Sequence, residues 1–146
     1  MAELSIRPCT FDDLGAVIPL LEQLWPGVTM DRERLVPVFR KGLESSDQYY
    51  FCGEAQGDLI AFCAMTLKNS IKREGPLTLI DELVVDSRAR GLGLGEIMLN
   101  HAIEWARDRG CTVIELESGN QREAAHRFYL NRGFDQTALF FSRRID

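Results

Sequence analysis

The sequence predicts an α/β fold in which helices flank a mixed β-sheet, in the order β-α-α-β-β-β-α-β-α-β. Three observations carry this. Segments of alternating or continuous apolar residues are interleaved with segments whose apolar residues recur every three or four positions. A hairpin pattern precedes two strand-then-helix units, which mixes the two kinds of strand pairing. The stretch SRARGLGLG, with glycines at 91, 93 and 95, joins a strand to a helix.

Residues 4–7 alternate and read as a short first strand. Thr10 then precedes an apolar-periodic run through Val17, Leu20, Leu21 and Leu24, and Asp13 completes an approximate capping box. This helix stops at Trp25-Pro26-Gly27. A second helix is expected over residues 31–43, with Pro37 inside it. Residues 48–54 are rich in aromatics and form a strand. Gln56-Gly57-Asp58 turns the chain, and residues 59–67 return as the second half of a hairpin. A polar loop is expected over residues 69–76 and a strand over residues 77–85. The helical period over residues 94–109 puts Leu94, Ile97, Met98, His101, Ala102, Trp105 and Ala106 on one face, and Gly110 suits a C-cap. A strand over 111–117, a helix over 121–132 closed by Gly133, and a last strand over 137–143 complete the chain.

The 146 residues suit one domain with its own core, 1–146, and no repeat or linker divides them. The apolar share of 45% is ordinary for a soluble chain, no apolar run is long enough to span a bilayer, and MAELSIRP does not resemble a signal peptide. A cytoplasmic location with no membrane partner is therefore expected. Cys9, Cys52, Cys63 and Cys111 are scattered singly and read as small core residues in a reducing compartment. No metal site is expected, since His101 and His126 are the only histidines and lack supporting carboxylates. His101 is expected to pack or be half-exposed, and His126 to lie on the helix that also carries Tyr129. A net charge of −5, with no interleaving of basic and aromatic residues, excludes nucleic acid as the expected partner.

A strand running into a glycine loop and then a helix makes an anion site. The first N–H groups of the helix have no partner within it, and the helix dipole adds partial positive charge there. Glycine lets the backbone approach a ligand closely, and Arg90 adds a fork of donors suited to phosphate, while Arg88 reads as solvated. A Walker loop is excluded because no lysine follows Gly95. The spacing is one residue short of a dinucleotide fingerprint, although Glu115 superficially mimics its acidic residue. Read from the residues alone, a dinucleotide loop and a bare turn both remain open.

The pattern [Q/R]-x-x-G-x-[G/A], met by Arg90, Gly93 and Gly95, resembles the GNAT superfamily of N-acetyltransferases. The resemblance covers nearly the whole chain. LVVDSRARGLGLG looks like the family's acetyl-CoA segment, and NQREAAHRFYLNRGF like its second cofactor segment. DELVV with AHRFYLNRGF is also similar to a narrower branch, the aminoalkylphosphonate and some aminoglycoside N-acetyltransferases. The resemblance implies acetyl-CoA as co-substrate. The backbone of Leu83, Val84 and Val85 would pair with the pantetheine arm in a gap between two splayed strands. The N–H groups of Arg90, Gly91, Leu92, Gly93, Leu94 and Gly95 would hold the pyrophosphate. Asn120 and the helix bearing Ala125, Phe128 and Tyr129 would flank the thioester.

Acetyl transfer to an amine needs a neutral amine, donors for the carbonyl oxygen, and a proton for the departing thiolate. The resemblance makes Tyr129 the acid. Glu82 is the candidate base, because a carboxylate inside an apolar strand is costly unless paired or useful. A solvent-facing or salt-bridged acid is the alternative for Glu82. Strand alternation puts Glu82, Val84 and Asp86 on one face, and Asp81, Leu83 and Val85 on the other. A backbone N–H near Val84 is expected to meet the oxyanion.

The expected function is transfer of an acetyl group to a primary amine of a small molecule, by direct attack in a ternary complex. A protein or peptide N-acetyltransferase and a non-catalytic acetyl-CoA sensor are the alternatives. The resemblance places the acceptor near residues 25–33, 68–76 and 139–141. Lys68, Lys72 and Arg73 suit an anionic group or merely a solvated loop, whereas the acidic balance suits a cation. Residues 135–146 leave room for one strand where many family members have two. A homodimer, packed across Leu139, Phe140 and Phe141, would supply the missing edge.

Overall fold

The hairpin read from residues 48–67 becomes the centre of a five-stranded sheet in the computed structural model, which describes residues 3–146. The strands are β1 (Ser5–Pro8), β2 (Gln48–Ala55), β3 (Asp58–Ser70), β4 (Gly75–Val85) and β5 (Ile114–Leu116), ordered β1-β2-β3-β4-β5. The first four pair antiparallel. The helices are α1 (Leu14–Leu24), α2 (Arg32–Glu44), α3 (Leu94–Asp108) and α4 (Glu123–Leu130). The contacts divide the chain into two compact units, one ending at Glu115 and one running from Leu116 to Asp146.

In the first unit, alternation sends the two faces of the sheet to different helices. Cys52, Phe62, Ala64 and Val84 join Leu14, Val17, Leu20, Leu21 and Leu24 of α1 and Phe39 of α2 in one buried cluster. On the opposite face, Tyr49 stacks on Trp105 of α3 with ring centroids 5.2 Å apart, and Phe51 lies 4.6 Å from the His101 ring. His101 is thus packed as expected. Its ring nitrogen lies 3.0 Å from the Tyr49 hydroxyl, and burial pushes its pKa down. Each fully buried Leu, Phe or Met contributes about 1.5–3 kcal/mol.

Local chemistry sets the helix starts. Asp13 accepts from Thr10 N at 2.7 Å, one half of the anticipated capping box, and Arg7 grips the same carboxylate at 2.8 Å. The Asp31 side chain caps α2 through Arg34 N at 3.2 Å. Pro37 stays inside α2, and Gly42 faces Tyr50: a methyl on Gly42 would sit 2.0 Å from the Tyr50 hydroxyl.

The structure corrects several expectations. The polar loop over 69–76 shrinks to a tight turn of four residues, 71–74, because Ser70 pairs with Gly75 and Asn69 with Pro76. Ladder bonds here outweigh side-chain polarity. The strand expected over 111–117 is only Ile114–Leu116. Cys9 and Cys52 are not separate: their sulfurs and a carboxylate oxygen of Asp13 lie within 4.8 Å of one another. The two thiols share a hydrogen bond that pushes Cys9 up and Cys52 down. Asp13 is already committed to the Arg7 guanidinium, so a positive charge sits where a bound cation would need a free carboxylate.

In the second unit, α4 is shorter than the anticipated 121–132 helix. The strand expected over 137–143 is absent, and these residues carry no regular structure. A strand exists only through a paired neighbour, and Leu139, Phe140 and Phe141 run consecutively rather than alternating. All three are exposed, Phe141 at 85%.

Candidate active site

In the first unit, the candidate residues grow out of β4. Ala64 pairs with Glu82 while Met65 pairs with Ile80, so Asp81 is an extra residue on β4, a β-bulge. Without it Ile80 and Glu82 would share a face. With it, Glu82 joins Ala64 and Val84 on the face beneath α1 and α2, two residues after Ile80 has turned toward α3. Tyr50 pairs with Ala64 across the next ladder, which aligns Tyr50, Ala64 and Glu82 in one row. Burial raises the Tyr50 phenol, and the carboxylates of Glu82 and Asp81 add to the rise. Loss of surrounding water likewise pushes Asp81 up, opposed by a 2.6 Å bond from the Thr66 hydroxyl.

β4 ends in a tightly held junction. Asp86 is buried, and its N–H donates to Ile60 O on β3 at 2.7 Å. Its carboxylate accepts from Arg88 N at 3.0 Å and from the Arg88 guanidinium at 2.8 Å, which lowers its pKa to about 2. Arg88 is therefore an ion-pair partner rather than a merely solvated arginine. From α1, Gln23 Oε1 accepts from Ser87 N at 2.8 Å. A separation of 64 residues hid that contact from any local reading.

The glycine loop follows. Gly91 and Gly93 have φ of 81° and 78°, left-handed values that disfavour a side chain, and no atom lies within 4 Å of where either Cβ would be. The backbone here is bare and approachable. Gly93 is the N-cap of α3, so the N–H groups of the first helical turn, beginning at Leu94 and Gly95, point out of the helix end. Leu94 is buried and Leu92 exposed. Arg90 is exposed, and its Nε donates to Val85 O at 3.1 Å. Bare backbone, outward N–H groups and a guanidinium fit a diphosphate. A cleft of about 800 Å³ opens beside the loop, bounded by Asp86, Arg88, Leu92, Leu94 and Ile97. A smaller one of about 350 Å³ is lined by Thr29, Met30, Asp31, Arg34, Leu35 and Val38 at the start of α2.

In the second unit, Asn120 is exposed in the turn before α4, and Ala125 and Phe128 are half-buried. Tyr129 is buried in edge-on contact with Phe128 and Phe134, at centroid distances of 5.2 and 5.4 Å. His126 Nε2 donates to Gly119 O at 2.8 Å, which braces the turn carrying Asn120. Ser118 has a buried hydroxyl with no hydrogen-bond partner.

A sheet flanked by helices, with bare backbone and outward N–H groups where β4 passes into α3, defines the class: an α/β protein whose helix N-terminus is built to suit a phosphorylated ligand. The model for the Acetyltransferase (GNAT) family matches residues 16–134, and the chain belongs to that family. It is 31% identical over 139 residues to an uncharacterised N-acetyltransferase of Methanocaldococcus jannaschii, covering 90% of this chain and 61% of that relative. It is 26% identical over 145 residues to the aminoalkylphosphonate N-acetyltransferase of Salmonella typhimurium, covering 99% and 94%. In fold it is similar to an aminoglycoside N-acetyltransferase in complex with CoA, with a TM-score of 0.85, 18% identity and coverage of 99% and 97%. It is also similar to a putative acetyltransferase of Agrobacterium tumefaciens, with a TM-score of 0.85, 26% identity and coverage of 97% and 99%.

Proposed function

We propose that this chain transfers the acetyl group of acetyl-CoA to a primary amine of a small molecule, by direct attack in a ternary complex, both units acting as one domain. The observation that carries this is the bare loop of Gly91 and Gly93, with Arg90 beside it, opening α3 directly after β4. A family match that spans both units supports the single domain. The ligand supplies an acetyl thioester; the chain supplies position and proton transfer. The N–H groups from Arg90 to Gly95 hold the diphosphate, and the backbone of Leu83 to Val85 holds the arm. Asn120, Ala125 and Phe128 flank the thioester. Glu82, half-buried on the face beneath α1 and α2, accepts the amine's proton, directly or through water. A backbone N–H near Val84 meets the charge on the carbonyl oxygen. Tyr129 donates a proton to the leaving sulfur, its ring fixed by Phe128 and Phe134.

The cleft at the start of α2 overlaps the region expected for the acceptor. Lys68 and Lys72 are exposed at the β3–β4 hairpin, whereas Arg73 is paired with Glu115 at 3.1 Å. An anionic group on the amine suits these lysines, as in the aminoalkylphosphonate that the Salmonella relative's name specifies. A homodimer is supported by the exposed Leu139, Phe140 and Phe141, and a cytoplasmic location by four free, buried cysteines. No helix among the described residues is long and apolar enough to cross a membrane.

The test is free thiol released from acetyl-CoA against aminoalkylphosphonates, aminoglycosides, polyamines, amino acids and lysine peptides. Release with one class of small amine is expected. Release only with peptides would replace the small-molecule reading, and CoA binding without any release would favour a sensor.

A further inference from the structure

The Val85 carbonyl has two claimants. Asp86 N–H points to β3, where it meets Ile60 O at 2.7 Å. Successive residues of an antiparallel strand turn their N–H and C=O groups to opposite edges. Val85 therefore presents its groups to the edge of β4 away from β3, the edge assigned above to the pantetheine arm. That carbonyl already accepts from Arg90 Nε at 3.1 Å. Arg88 cannot stand in for Arg90 as the loop's cation, because its guanidinium is bound to Asp86 at 2.8 Å. The same Arg90 side chain thus covers a backbone acceptor that the arm needs and carries the charge that the diphosphate needs.

We propose that Arg90 sets donor specificity by making the diphosphate a condition for seating the pantetheine arm. This rests on the acetyl-CoA reading. With a diphosphate present, the guanidinium exchanges a neutral carbonyl for a charged partner, and bonds to ionised acceptors are about twice as strong. The Val85 carbonyl is then released to accept an N–H of the arm. A donor with the arm but no diphosphate competes with Arg90 at that carbonyl and offers the guanidinium no charged partner in exchange. Arg90 so favours full coenzyme A thioesters and disfavours short pantetheine thioesters at the same time.

The test is calorimetric titration of the wild-type chain and of Arg90→Ala with coenzyme A and with pantetheine. In Arg90→Ala, affinity for coenzyme A is expected to fall about tenfold to a hundredfold, while affinity for pantetheine rises about twofold to tenfold. A simple loss of charge or of loop structure would weaken the first without strengthening the second. Pantetheine affinity that stays level or falls overturns the proposal. A wild-type chain that does not bind coenzyme A overturns the acetyl-CoA reading as well. Should the variant not fold, the wild-type chain decides. Inorganic pyrophosphate, added to draw Arg90 away, should tighten pantetheine about twofold to tenfold, and unchanged affinity overturns the proposal.

Discussion

Replacing Gly93 by alanine separates backbone strain from ligand contact. Gly93 has φ 78° and ψ 10°, and nothing lies within 4 Å of the added methyl. In the free protein the cost is therefore conformational. Alanine in the left-handed region costs about 1–2 kcal/mol, and the stiffer unfolded chain returns about 0.4–1 kcal/mol. The net loss is about 1 kcal/mol, a fall in Tm of about 2–4 °C for a chain of this size. Coenzyme A should suffer more, because the methyl fills the open side of the cradle and keeps the diphosphate from a backbone N–H. Losing one charge-assisted bond of about 1.5–3 kcal/mol weakens binding about tenfold to 150-fold. The control is Gly110→Ala at the other end of α3, where φ is 80° and the nearest atom, Pro76 Cγ, lies at an ordinary 4.0 Å. Melting curves and CoA titrations of both variants are the assay. Equal falls in Tm with a large loss of affinity only in Gly93→Ala are expected. If Gly93→Ala melts lower yet binds CoA as wild type does, the loop does not hold the diphosphate.

Four further outcomes are expected. Tyr129→Phe should lower kcat about a hundredfold or more while leaving CoA affinity within about twofold, and an unchanged kcat removes the acid role. Glu82→Gln should depress kcat/KM most near neutral pH and recover toward about pH 10, where an alkylamine deprotonates unaided; a pH–rate profile identical to wild type would leave Glu82 a bystander. Gly42→Ala gains about 1 kcal/mol of helix propensity, but its methyl would lie 2.0–2.4 Å from the Tyr50 ring end, where overpacking costs about 1–3 kcal/mol. A lower denaturation midpoint is expected, and a raised one contradicts the packing. Asp86 titrates near 2 instead of its ordinary 3.8, a value depressed by folding. Its contribution is complete above about pH 4 and is lost as pH falls toward about 2, so Asp86→Asn should flatten the stability curve across that window. An unflattened curve would mean that Asp86 is not the group responsible.

What could be read from the chain is what neighbours along it decide. Thr10 and Asp13 announce the 3-10 turn at Phe11–Asp13 that leads straight into α1, because a capping bond spans only three residues. The aromatic-rich stretch at 48–54, the turn at 56–58 and the apolar run at 59–67 predict a hairpin, and the glycines at 91 and 93 predict a bare loop, since only glycine adopts their φ without strain. The order of elements and the loop pattern together carried the family resemblance. Other features depend on partners far along the chain. Gln23 reaches Ser87, Cys9 meets Cys52, and Gly42 yields its space to Tyr50 only after the sheet and helices have assembled. The bulge at Asp81 arises from registration against β3, and it decides that Glu82 faces α1 and α2 although Ile80 faces the other way. The extended reading of residues 137–143 failed for the same reason: propensity belongs to the residues, but a strand belongs to the pair. The contact of Arg90 with Val85 O, on which donor specificity is proposed to turn, likewise depends on the path of the loop and not on the pattern of glycines.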